Sequence, residues 1–150
     1  MFKHILLATD GSESVRKAED YALYLSRACG ADLTVLHVLD DSLCHYGHVD
    51  QLVPSETKDG FVSYVISERE AAAREVIREF SRKAASQDVK YSFKLKQGIP
   101  AKEIAVVADK EKVDLIVMGG RHPARRPRFR VATTADKVAA QSRCSIMTLI

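Results

Sequence analysis

Cysteine is scarce in this sequence: Cys29, Cys44 and Cys144 are widely spaced and form no CxxC pair. An odd, unpatterned set excludes a disulfide framework and implies reduced thiols in a reducing compartment. No apolar run approaches the ~20 residues that cross a bilayer, so no membrane partner is expected. The run from Met1 to Ala8 is too short for a signal-peptide core, and Asp10 interrupts it. The expectation is a soluble, cytoplasmic chain. No internal repeat, low-complexity tract or linker divides it, which leaves one domain over residues 1–150. Recognisable catalytic signatures are missing too. There is neither a GxSxG elbow nor a GxxxxGK[ST] loop. Ser12 has no evident base partner, and the carboxylates of Asp10 and Glu13 identify no reaction. An enzyme is not expected.

What the chain does have is enough apolar material for a core. Of 150 residues, 46% are apolar, and a chain of that length buries roughly 70% of its unfolded surface. The net charge of +3 conceals an asymmetry. Arg121, Arg125, Arg126, Arg128 and Arg130 form a run without an acid. Without those five, 18 basic residues face 20 acidic ones. A concentrated positive loop on a mildly acidic body favours an anionic partner; the alternative is a solvated loop.

Two periodicities alternate along the chain. Ile5–Ala8, Leu33–Leu39, Leu115–Met118 and Ile146–Ile150 are short apolar runs, the pattern of parallel strands buried on both faces. Tyr91–Lys96 alternates apolar and polar, as a half-exposed edge strand does. Between them lie helical stripes. Val15, Ala18, Ala22, Leu25 and Cys29 step by three and four, with Ser12 as expected cap, Glu13 in the first turn and Gly30 as terminator. A longer stripe runs through Val62, Val65, Arg69, Ala72, Val76 and Phe80. Pro100 suits the first turn of a third helix carrying Ile104, Val107 and Ala108. Thr133 to Asp136 resembles a capping box that opens a fourth. The order β-α-β-α-β-α-β-α-β predicts an α/β fold with a parallel sheet covered on both sides. One long connection, Asp40 to about Gly60, stands out.

Four segments in this order resemble the universal stress protein family: Ala8-Thr9-Asp10-Gly11-Ser12 after the first strand, Leu36-His37-Val38 at the end of the second, Gln97 to Ile104 around the third helix, and Asp114 to Gly119 followed by a loop, a short helix and Cys144 to Met147. The resemblance covers essentially the whole chain. It implies an open five-stranded parallel sheet of order 3-2-1-4-5 with four helices, Rossmann-like, and a homodimer formed through the last strand. Ligands of such sheets sit beyond the carboxyl ends of the strands where the winding reverses. Here that point is the crevice between Asp10 and Gly119.

Many members of that family bind ATP with a signature of glycine, two residues, glycine, nine residues, then glycine before serine or threonine. Glycines let backbone N–H groups approach phosphate. Laid on this sequence, the signature places Gly119 first, His122 second and Ala132 third, followed by Thr133. One glycine and the hydroxyl match; two glycines do not. The arginine loop, Arg121 included, supplies side chains able to grip phosphate instead. Asp10 matches the family's aspartate near adenine and ribose, and Val38 the residue whose backbone meets the base. The implied site comprises Thr9, Asp10, Val38, Met118 and Gly119, with Arg121, His122, Ala132, Thr133 and Thr134 on its phosphate side. Each also has a plainer reading: Asp10 and Thr133 as caps, Gly119 as a turn residue.

These features imply a stress-response regulatory module that binds an adenine nucleotide (ATP with Mg²⁺) or another anion, slow hydrolysis aside. The alternative is a member without nucleotide that acts through contacts with a protein partner. Nucleic acid is disfavoured, because only Phe129 interleaves the arginines. Cys44, His45 and His48, near Asp40, Asp41 and Asp50, have metal-ligand types but lack a second cluster, so no metal is expected. His4 and His37 sit on strand patterns and read as structural.

Overall fold

The computed structural model describes residues 1–41, 55–120 and 132–150, with side chains described from residue 67 in the second stretch. The arginine loop and the Cys44–His48 stretch lie outside these residues, as do Arg121 and His122. Five strands are present: β1 (His4–Ala8), β2 (Asp32–Asp40), β3 (Ser92–Gly98), β4 (Leu115–Gly119) and β5 (Ser145–Leu149). Four helices alternate with them: α1 (Arg16–Cys29), α2 (Ser55–Ser86), α3 (Pro100–Lys110) and α4 (Thr134–Gln141). All strand pairs are parallel, in the order β3-β2-β1-β4-β5. None of the described helices is long and apolar enough to cross a membrane.

Alternation along the central strands sorts the core into two layers. Ile5, Leu7, Val35 and Val117 pack with Ala18, Ala22, Leu23 and Phe80 on the face of α1 and α2. Leu6, Ala8, Leu36 and Ile116 pack with Ala101, Ile104, Val107 and Val138 on the face of α3 and α4. Burial on both faces is why these strands read as unbroken apolar runs. β3 lies on one edge as its pattern predicts, although Leu95 is exposed rather than turned inward.

Helix ends follow the expected chemistry in three cases. Gly30 terminates α1 at φ +63°, a left-handed position that glycine adopts without strain. Pro100 opens α3. Thr133 and Asp136 close a reciprocal capping box on α4. The start of α1 differs. Ser12 caps nothing with its side chain; its hydroxyl pairs with Ser14, and a short 3-10 turn (Glu13–Val15) precedes α1. The Asp10 carboxylate takes the Ser12 N–H and diverts the chain before a cap can form. α2 departs from expectation twice. It begins at Ser55, so residues 55–60 belong to helix rather than to the long connection. Its buried line runs through Ala73, Phe80 and Ala84, with Ala72 exposed. Phe80 meets Tyr91 edge-on, 5.1 Å between ring centroids.

At the amino ends of the strands polar groups satisfy one another. The Asp114 carboxylate accepts the N–H groups of Lys3 (2.7 Å) and His4 (2.9 Å). These hydrogen bonds hold its carboxyl below the usual carboxylate value. His4 lies 3.2 Å from the Glu111 carbonyl and 2.8 Å from the Thr34 hydroxyl, and Glu111 pairs with Lys94. His37 Nδ1 likewise lies 2.7 Å from the Thr9 carbonyl oxygen, so both strand histidines have partners within the fold.

Candidate functional site: a crevice at the carboxyl ends of the strands

β1 and β4 are neighbours, with Ala8 opposite Met118. The chain leaves their carboxyl ends in opposite directions, β1 toward α1 on one face and β4 toward α4 on the other. That divergence opens a cavity of about 810 Å³, within the range of small-molecule sites. Its walls include Thr9, Asp10, Val38, Met118, Gly119, Ala132, Thr133 and Thr134. The structure therefore gathers eight of the ten residues singled out in the sequence.

The walls have distinct chemistry. Asp10 is exposed, and one of its oxygens accepts the Ser12 N–H at 2.9 Å, so it both shapes the turn and faces the cavity. Thr9 is buried behind it. Val38, Leu36, Met118, Pro100 and Ile104 form an apolar side suited to a flat ring. Thr133, also in the lining, caps α4. Its hydroxyl accepts the Asp136 N–H and donates to the Asp136 carboxylate, which also takes the Thr133 N–H at 2.8 Å. The plain reading of Thr133 as a cap thus holds, and its donors are already engaged. Gly119 also has a packing role. A Cβ there would lie 2.9 Å from the Ser14 carbonyl oxygen and 3.0 Å from Val15 Cγ2. Glycine is required where β4 passes under the turn before α1.

Sequence reasoning missed Asp40, Lys137, Ser14 and Ile150, which also line the cavity. For two of them the spacing carried a signal that went unused. Asp40 follows Leu36 and Val38 at period two on one face of β2. Lys137 follows Thr133 and Thr134 by four and three residues, one helical turn on. Lys137 is the only cation among the described lining residues, against the acids Asp10 and Asp40.

A doubly wound parallel α/β domain with its crevice at the point where the winding reverses is a nucleotide-binding architecture in many settings. The comparisons narrow it. The model of the universal stress protein family matches residues 1–149, and the chain belongs to that family. A universal stress protein of Thermus aquaticus is 31% identical over 147 residues, covering 98% of both chains. One from Methanocaldococcus jannaschii is 26% identical, covering 98% of this chain and 81% of its own. Among solved structures, a universal stress protein from Lactobacillus plantarum superposes at a TM-score of 0.80 with 23% identity, covering 99% of this chain and 97% of its own. Two more distant folds were solved with ligands. One is a universal stress protein in complex with cAMP (TM-score 0.66, 19% identity, covering 99% and 96%). The other, from Arabidopsis thaliana, has AMP bound (TM-score 0.68, 16% identity, covering 98% and 90%).

Proposed function

We propose that this chain is a cytoplasmic, homodimeric regulatory module of the stress response that binds an adenine nucleotide in the Asp10–Gly119 crevice and does not turn it over. The single observation that carries this reading is the crevice itself: apolar side chains, Asp10 and the threonines and lysine of α4 lining one cavity at the reversal point of the sheet. Proteins of the same fold with AMP and cAMP bound support the adenine class.

The fit differs between the two halves of such a ligand. Val38, Leu36 and Met118 suit a base, and the Asp10 carboxylate can accept ribose hydroxyls. On the phosphate side, Thr134 and Lys137 are the described groups that would hold anionic oxygens, since Thr133 is engaged by Asp136. Bound Mg²⁺ would supply charge neutralisation of a triphosphate; no group of three metal-ligating side chains occurs among the described residues. β5 ends the sheet opposite β3 and is half-buried, an edge that a second copy could extend.

A second reading is favoured by the engaged cap of Thr133 together with His122 and Ala132 in the signature: a member without nucleotide, acting through protein contacts. Isothermal titration with ATP and Mg²⁺, and separately with AMP, divides the two. Heat from either nucleotide supports the crevice as a ligand site. Silence with both transfers the function to protein contacts.

A further inference from the structure

Behind the crevice wall sits a buried carboxylate that no ligand contact uses. The Glu19 side chain on α1 is 8% exposed. One oxygen accepts the Thr9 hydroxyl at 2.9 Å and the other takes the Lys83 ammonium of α2 at 2.9 Å. Lys83 also reaches Asp20 at 3.3 Å. Thr9 is held on every side. Its hydroxyl oxygen accepts the Gly11 N–H at 3.1 Å, and its carbonyl accepts the His37 Nδ1–H at 2.7 Å.

The position is apolar by pattern, since Ala18, Ala22 and Leu23 beside it are fully buried. A leucine would fill the space without the desolvation that an ion pair incurs, so stability alone does not call for a charge at this position. Hydrogen-bond direction matters here because Thr9 is one residue from Asp10. With Glu19 accepting, the Thr9 hydroxyl hydrogen points into the core and its lone pair is left for Gly11. Gly11 has φ +73°, and a Cβ on it would run into Val76 of α2. Val76 and Lys83 are seven residues apart, two turns along one face of α2.

We propose that Glu19 and Lys83 are positioning residues: through Thr9 they fix the Thr9–Ser12 turn that presents Asp10 to the crevice, and they tie that turn to α2. The effect on binding rests on the crevice being the ligand site; the effect on the turn does not. The test uses the full chain with Glu19→Leu and Lys83→Met combined, which removes both charges together. Amide hydrogen exchange at Gly11 and Ser12 is read against amides of β1 and β4, alongside titration with AMP. The expected result is Gly11 exchange about tenfold faster at nearly unchanged melting temperature, and AMP affinity lowered about five- to tenfold, by local opening of the turn. Lys83→Arg keeps both at wild-type values. Unchanged Gly11 exchange in the folded double variant overturns the proposal. If the double variant fails to fold, Lys83→Gln, which leaves Thr9 and its bond to Gly11 in place, is read for the same two outcomes. If the wild-type chain binds no AMP, the nucleotide reading falls, and Gly11 exchange alone decides the positioning claim.

Discussion

The two ends of this sheet are built differently. At the amino ends, polar groups close on each other: Asp114 on two backbone N–H groups, His4 on Thr34 and Glu111, Glu111 on Lys94. At the carboxyl ends they surround a cavity, with Asp10, Asp40, Thr134 and Lys137 along its walls. The difference is one of degree: the amino end pairs its charged groups with one another around a cavity of about 520 Å³, and the carboxyl end sets both acids and a lysine around one of about 810 Å³.

The largest effect should come from beneath both ends. Phe80 is fully buried, so Phe80→Ala is expected to lose about 3–5 kcal/mol by urea unfolding. A loss confined to one end, seen as local exchange without a shifted midpoint, would show that the two ends do not share a core. Next, Thr133→Ala removes the α4 cap and should destabilise by about 1 kcal/mol. Thr34→Val removes the hydroxyl between His4 and Glu111 and should cost about the same. The comparison predicts that only the first weakens nucleotide binding, by loosening the end of α4 that carries Thr134 and Lys137 into the cavity wall. Equal weakening by Thr34→Val would break it.

Two smaller effects are read by pH. The folded Asp114 carboxyl lies below its ordinary value, so the stability it contributes is present above the unfolded value. It is lost as the pH falls through the lowered one. Melting curves across the acid range should flatten in Asp114→Asn; an identical acid limb would show that the clamp contributes nothing. For Lys83, burial alone would lower the ammonium's value. Hydrogen bonds and charge from Glu19 and Asp20 outweigh this and raise it. The stability it contributes is complete below the unfolded lysine value and fades as the pH climbs through the raised one. Replacement by Met should blunt the alkaline loss.

The sheet was legible because its strands are buried on both faces and its helices amphipathic, and both leave a period in the sequence. Gly30, Pro100 and the Thr133 box were legible because caps have local chemistry. The start of α1 was not, because an Asx turn at Asp10 competes with Ser12 for the same backbone, and tertiary contacts decide between them. Alanine carries little hydrophobic signal, so the pattern alone does not decide between Ala72 and Ala73 as the inward position of α2. Gathering Asp10 with Gly119 needed only the strand order implied by family resemblance. The Glu19–Lys83 pair could not be read at all: its members are 64 residues apart, and each alone is an ordinary charge on a helix.

Gly119 bears on how the crevice should be probed. It sits first in the signature, so it invites replacement as a way of abolishing nucleotide contact. Yet its missing Cβ is what lets the Ser14 carbonyl oxygen and Val15 come close. A side chain there would push the 3-10 turn away from β4 before any phosphate was consulted. Gly119→Ala is therefore a lesion of the scaffold, and a motif score that counts this glycine toward nucleotide binding counts a packing requirement. Lys137, which no signature contains, is the cleaner handle: Lys137→Ala leaves the scaffold in place and removes charge from the cavity alone.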